Sequence, residues 1–390
     1  MKFRGFMLLV VIYITFIALG LPDALLGSAW NLIRMDLSTS LETLGLMTVA
    51  IYIMSIFSTF NAPRLLRLFQ TKWITFVSVL FTGLALILIS QVNQFYQMLF
   101  FALPLGIGAG AIDVSLNHYL ASHYEAKHMS YLHSFYGIGV TVGPSVMAYT
   151  LNQGQWRLGY IIVGSLLVGI ALIIALSFGL WRKEHQEERN DIHRKITLKE
   201  ILKTKGALES VFIFLIYVHL ESLGGVWIAS YFFIEKNVSY AVAALFTTTF
   251  YLALTLGRLL SGFLSNRLSP NLLVRIGQGL MLIAGILMFL EWSWVYLYFG
   301  IVFLFGLGAG PIYPNMMFMN AKVFEKHKLS KIMSLQMGIG YMGFGLLTPL
   351  AGLFFGKVSI AYYPILISVM CLLMIYITIH YRKHTAHLSI

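Results

Sequence analysis

Twelve stretches, each about 20 residues long and almost wholly apolar, follow one another through this chain. They cover roughly 6–30, 41–61, 73–91, 95–120, 130–151, 158–181, 208–234, 238–264, 271–291, 294–320, 330–355 and 360–381. No water-soluble domain can bury that many such segments, whereas a bilayer takes each as one helix crossing the hydrocarbon. A closed barrel also satisfies its backbone in lipid, but its strands alternate polar and apolar residues. Runs such as Ile161–Leu180 are apolar throughout, so helices are expected. Composition agrees: 58% of residues are hydrophobic and 11% charged, against about a quarter charged in a soluble domain. A soluble enzyme, a disordered chain and a nucleic-acid-binding domain are thereby excluded. The expectation is an all-α membrane protein with twelve transmembrane helices.

The net charge of +12 is a matter of placement. With the N-terminus set in the cytoplasm, 23 of the 27 Lys and Arg fall on the cytoplasmic side, leaving Arg34, Arg157, Lys236 and Lys357 outside. Positive residues stay with the cytoplasmic loops, so both termini are expected there, in a multi-pass protein of the cytoplasmic (inner) membrane. The basic excess then marks topology and contact with anionic membrane lipids; no nucleic-acid partner is expected. Lys2 and Arg4 ahead of the first span resemble the start of a signal peptide, but no polar mature region follows, and a retained helix is expected. One long hydrophilic stretch, Arg182–Gly206, divides the chain into an N-terminal bundle (1–181), a cytoplasmic linker (182–207) and a C-terminal bundle (208–390). The lone Cys371 excludes an internal disulfide and multi-cysteine metal sites.

The two halves repeat each other. Gly106-Ile-Gly-Ala-Gly-Ala-Ile112 in the fourth span answers Gly306-Leu-Gly-Ala-Gly-Pro-Ile312 in the tenth, and Gly137-Ile-Gly139 in the fifth answers Gly338-Ile-Gly340 in the eleventh. Parallel six-helix repeats resemble the build of the major facilitator superfamily, which implies two six-helix bundles and a site near the bilayer midplane. Gly257-Arg258-Leu-Leu-Ser-Gly262, running on to Asn266-Arg267, is similar to the superfamily's loop motif, and this resemblance implies a gating role for Arg258 and Arg267. Plain topology marking is the competing explanation. The matching stretch after the second span, Asn61-Ala-Pro-Arg64, is degenerate.

Ionisable groups inside a bilayer are costly and tend to have work to do. Three acids qualify. Asp23 follows Pro22 in the first span, roughly 25 Å of helix from Gly5. Asp113 follows the glycine run of the fourth span and shares a helix face with Asn117. Glu221 lies in the seventh span before Gly224-Gly225, a break point, and Trp227, which either stacks on a ligand or packs between helices. His133, Tyr313, Asn315 and Gln336 are further candidates for substrate contact, with helix–helix hydrogen bonding as the alternative. His219 is expected to support Glu221; Glu235 and Glu291 sit at span ends.

Low dielectric favours the protonated form of a carboxyl group, so Asp113, Asp23 and Glu221 are candidates for proton coupling, with Na+ as the other possible coupling ion. No cofactor, metal ligand set, or nucleophile–base arrangement is apparent, and an enzyme is not expected. Acids, amides and aromatic faces suit a hydroxylated solute, and the lack of an evident buried Lys or Arg speaks against anions. A narrower resemblance supports a sugar. Gly20-Leu-Pro-Asp23, Asp113-Val-Ser-Leu-Asn117 and His133-Ser-Phe-Tyr136 are similar to stretches of the fucose:proton symporter family, and Tyr217 to Trp227 resembles the seventh span of its glucose-transporting branch. That resemblance implies substrate recognition or coupling at Asp23 and the protonatable role at Asp113. Pro22 and His118 depart from the pattern, as does Asp in place of Glu at 113. The expectation is a monomeric secondary transporter moving a monosaccharide or similar solute by proton-coupled symport; the alternatives are a proton-driven multidrug or metabolite exporter and a non-transport membrane receptor.

Overall fold

The computed structural model describes residues 3–124, 127–181, 198–265 and 267–385. Among them the chain is helical throughout, with no strand. Span 1 is built from α1 (Phe3–Gly20) and α2 (Leu25–Asp36); spans 2 to 6 are α3 (Thr43–Leu68), α4 (Thr71–Ile89), α5 (Phe95–His123), α6 (Lys127–Leu151) and α7 (Trp156–Leu176). The expected linker lies mostly outside the described residues; its end forms the short α8 (Leu198–Leu202). Span 7 is α9 (Ala207–Val226) plus α10 (Ile228–Glu235), span 8 is α11 (Tyr240–Leu264) and span 9 is α12 (Pro270–Phe289). Span 10 is α13 (Val295–Ala309) plus α14 (Ile312–Val323). Span 11 is α15 (Lys326–Met342), a π-helical turn (Gly343–Leu347) and α16 (Thr348–Lys357), and span 12 is α17 (Tyr363–Thr385).

Among the described residues, eleven spans are long and apolar enough to cross a membrane. The twelfth, α6, has the length, 25 residues, but carries His128, Ser130, His133, Ser134 and Tyr136 in its first half. Large apolar side chains face outward all along the helices: Leu176 is 87% exposed, Phe60 80% and Tyr296 79%. That is the reverse of a soluble surface and suits a hydrocarbon solvent, in which each helix satisfies its own backbone. Helix starts follow local chemistry. Gln94 and Gln97 form a capping box at α5, and Ser269 caps α12 ahead of Pro270 at its first position.

Contacts divide the chain into two units. One comprises Met1–Glu187 with Gly225–Thr248 and Gly352–Lys357; the other comprises Glu188–Gly224, Thr249–Ala351 and Val358–Ile390. In the first unit α3 and α4 pack on α5, α1 packs on α6, and α2 packs on α10. Arg157 pairs with Asp36 and donates to the Val92 carbonyl at 2.9 Å, tying the ends of α2, α4 and α7. In the second unit α12 packs on α13, α14 and α17.

The glycine repeat recurs as the same packing in both units. A Cβ at Gly106 or Gly110 would overlap the Ile51 or Ser55 carbonyl of α3, and one at Gly108 would lie 3.0 Å from the Ser78 carbonyl of α4. Likewise, a Cβ at Gly306 would overlap the Phe250 carbonyl of α11, one at Gly310 would lie 2.6 Å from the Arg258 nitrogen, and one at Gly308 2.6 Å from the Gly277 carbonyl of α12. Gly139 meets Ile17 of α1, and Gly340 meets Phe214 of α9. A further pair went unread in the sequence: Gly143 abuts the Leu21 carbonyl, and Gly343 that of Leu215. Small residues allow this backbone approach. Gly106→Val and Gly306→Val are each expected to destabilise the protein by about 1–3 kcal/mol through overpacking, read as lower melting temperatures in detergent. Equal stability to wild type would refute the close-packing role.

Candidate functional site

Four spans are interrupted, and the interruptions place polar groups along the membrane helices. Span 1 breaks at residues 21–24, span 7 at Trp227, span 10 at Gly310–Pro311, and span 11 winds into its π-helical turn. Such broken helices free backbone groups inside the bilayer only where protein or a cavity satisfies them. Pro22 accounts for the first break and Pro311 for the third, since proline cannot donate within a helix. In span 7 the break falls just beyond Gly224-Gly225, because the helix continues to Val226.

In the first unit, Asp113 is half-buried in the second half of α5. Asn117 donates to its Oδ1 and to its backbone carbonyl, both at 2.8 Å. The four-residue spacing therefore produces the expected shared face, and the carboxylate meets an amide rather than a cation. Asp23 stands in the span 1 break, exposed, and accepts a hydrogen bond from the Tyr136 hydroxyl of α6. His133 is exposed one turn earlier on α6, edge-on to Phe16 at 5.9 Å. Trp227 is fully buried, edge-on to Phe355 at 5.6 Å and packed over Gly352.

In the second unit, Arg258 meets span 7. Its Nη2 lies 3.2 Å from Glu221 Oε1 and 3.2 Å from the Tyr217 hydroxyl, to which it donates, both on α9 of the same unit. The reason is position: Arg258 sits six residues inside the Leu264 end of α11, deep enough for its side chain to meet span 7. With 25% of its side chain exposed, Arg258 is a largely buried arginine, against the expected lack of an evident buried Lys or Arg. Tyr217 stacks with Tyr313 at 6.4 Å between centroids, and Tyr313 also lies against Phe214 at 5.4 Å. Arg267 is exposed just past α11.

His219 is corrected too. It bonds Thr348 of span 11 at 3.1 Å rather than supporting Glu221. Ser222 also meets Thr348, whose hydroxyl donates to the Gly343 carbonyl five residues back, the spacing of a π turn. Asn315 is buried, donating to Ser261 Oγ and to the carbonyl of Pro311, both at 2.7 Å. Gln336 is fully buried and accepts from Asn320 at 3.0 Å, while Asn320 Oδ1 accepts from Ser210 at 2.9 Å and from the Tyr381 hydroxyl at 3.1 Å. Asn315 and Gln336 thus hold spans 8, 10, 11, 12 and 7 together. Ser210, Asn320, Thr348, Tyr136 and the Arg258 partnership were missed in the sequence; only Tyr136 had a signal, as part of a family-like stretch. Among the described residues no three His, Cys, Asp or Glu side chains gather as a metal site.

The sequence profile of the Major Facilitator Superfamily matches residues 12–236 and 210–389. The chain belongs to this superfamily. It is a transporter with a multi-pass membrane fold, not an enzyme, and its substrate is a small molecule. The chain is 26% identical over 318 residues to Bypass of stop codon protein 6 of Saccharomyces cerevisiae, covering 73% of this chain and 64% of that relative's length. It is 19% identical over 303 residues to the glucose/mannose transporter GlcP of Bacillus subtilis, covering 75% and 74%. Among solved structures, a D-xylose-proton symporter superposes with a TM-score of 0.78 at 12% identity, covering 99% of this chain and 100% of the other. A bacterial homolog of the human lysosomal transporter Spinster, inward-facing and unoccupied, gives 0.76 at 14%, covering 99% and 98%. The nucleoside transporter NupG gives 0.77 at 12%, covering 98% and 99%. At such identities these superpositions speak for the fold.

Proposed function

We propose that this superfamily member moves a monosaccharide or similar polyhydroxylated solute by alternating access, coupled to protons, across a cytoplasmic membrane with both termini inside. The observation that carries this reading is Asp113: a half-buried carboxylate within a membrane helix, hydrogen-bonded by the Asn117 amide and lacking a salt bridge among the described residues. Such a group suits reversible protonation, because uptake of one proton removes a charge that the bilayer disfavours. Asp23 contributes an accessible acceptor backed by Tyr136, a fit for sugar hydroxyls. The likeness to the glucose/mannose transporter GlcP and to the D-xylose-proton symporter supports the sugar class. The clustering of Lys and Arg at one set of helix ends supports the orientation.

The deciding experiment is uptake of labelled D-glucose, D-mannose and D-xylose into proteoliposomes under an imposed proton gradient. Accumulation that collapses with a protonophore is expected, and gradient-independent equilibration would remove the coupling. Asp23→Asn is expected to weaken sugar binding roughly 10- to 100-fold, the loss of a hydrogen bond to a charged acceptor. Unchanged affinity in a binding titration would assign Asp23 to structure.

A further inference from the structure

We propose that Asn31 is a solute-binding amide covered by the second half of span 7, so that span 7 and the solute compete for one face of span 1. Asp23, Gly27 and Asn31 recur every four residues and so form one stripe at the start of and along α2. Span 7 presses on that stripe at its centre: a Cβ at Gly27 would lie 2.6 Å from the Gly225 carbonyl and 2.8 Å from Val226 Cα. One turn further along, Asn31 is 2% exposed, and both its Nδ2 and Oδ1 lack a hydrogen-bond partner. On span 7, Ser230 follows Val226 by four residues, is fully buried, and its Oγ is unpartnered as well. The helices that carry the two residues, α2 and α10, pack together.

A primary amide offers two donors and an acceptor oxygen, and burial without partners disfavours the closed contact. Leu26, Ala29, Trp30 and Ile33 surround it in sequence and are all buried, so an apolar residue at 31 would suit this contact better. A side chain at odds with its surroundings in one state points to use in another. When the part of span 7 from Gly225 onward withdraws, the stripe presents a carboxylate, a bare glycine backbone and an amide over about 12 Å. Hydroxyls on opposite sides of a sugar ring, each donor and acceptor, match the two ends, and Gly27 leaves room for the ring between them. The negative Asp23 disfavours phosphates and organic anions. The identity of the solute rests on the sugar reading above; the covering of Asn31 by span 7 does not.

The test is thiol labelling in full-length protein carrying Cys371→Ser. Asn31→Cys and Ser230→Cys are each reacted with a membrane-impermeant, positively charged methanethiosulfonate applied from the face opposite the termini, with exposed Asn152→Cys as the accessible control. Labelling of Asn31→Cys is expected, slowed roughly tenfold by saturating D-glucose, D-mannose or D-xylose, whichever wild type binds. No labelling at position 31 while position 152 reacts overturns the proposal, as does labelling that a bound sugar leaves unchanged. If wild type binds none of the three sugars by tryptophan fluorescence, the sugar reading fails, and Asn31→Leu decides the cover by itself. Removing the unpaired amide is expected to slow labelling at Ser230→Cys roughly tenfold, and an unchanged rate overturns the cover.

Discussion

Asp113→Asn abolishes gradient-driven accumulation while solute exchange across the membrane survives. The amide keeps the size of the side chain and a hydrogen bond to Asn117, so the helix and its packing are retained, but it cannot gain or lose a proton. A coupled charge draws about 2.3 kcal/mol from each 100 mV of membrane potential, enough for roughly 50-fold accumulation. The variant is expected to equilibrate solute to a ratio near unity, measured as steady-state uptake in energised vesicles beside counterflow in de-energised ones. Wild-type accumulation by the variant would refute coupling at Asp113. Loss of both accumulation and counterflow in a well-folded variant would make it a binding residue instead.

The second large effect is at Arg258. Removing one partner of a buried pair leaves an uncompensated charge and costs on the order of 3–5 kcal/mol. With Arg258 and Glu221 side chains 25% and 20% exposed, water softens this, and Arg258→Ala is expected to lose about half as much. Glu221→Gln alone removes the carboxylate that pairs with the guanidinium and is also destabilising. The double variant Glu221→Gln/Arg258→Met is expected to recover part of the loss, with a coupling energy of about 1–3 kcal/mol in a double-mutant cycle, measured by unfolding in mixed micelles. Additive losses would mean that the pair is not energetically joined. Uptake in the same variants distinguishes a purely structural pair, whose double variant recovers transport with stability, from one that takes part in coupling.

The spans and the internal repeat were legible because both rest on local rules. Apolar runs of bilayer length stand out in any window, and the glycines at 106, 108, 110, 306, 308 and 310 sit where backbones touch. The Asp113–Asn117 contact was legible for the same reason, since four residues is one helical turn. The Arg258 partnership was not legible because an arginine near a helix end looks like a topology marker, and only the depth of Tyr217 and Glu221 on a distant helix reveals these partners. Ser210, Asn320, Gln336 and Tyr381 come from four different spans, and no spacing along the chain announces such a network. Asn31 was passed over because one amide barely disturbs an apolar run; what marks it is burial without a partner, a three-dimensional fact. The grouping of Gly225–Thr248 with the first unit likewise arises from contacts that no linker or composition shift signals.

The modest apolarity of α6 has a consequence for how the protein is made. A segment with two histidines and several hydroxyls gains little from entering hydrocarbon by itself, so its partitioning out of the translocon must draw on helices already inserted. The surface that receives it is the first span, whose Ile17 and Leu21 carbonyls face Gly139 and Gly143. Biogenesis of the first bundle is then cooperative rather than strictly span by span: the fifth segment waits for the first, and disruption of those glycine seats would appear as a topological defect during synthesis before it appeared as lost transport.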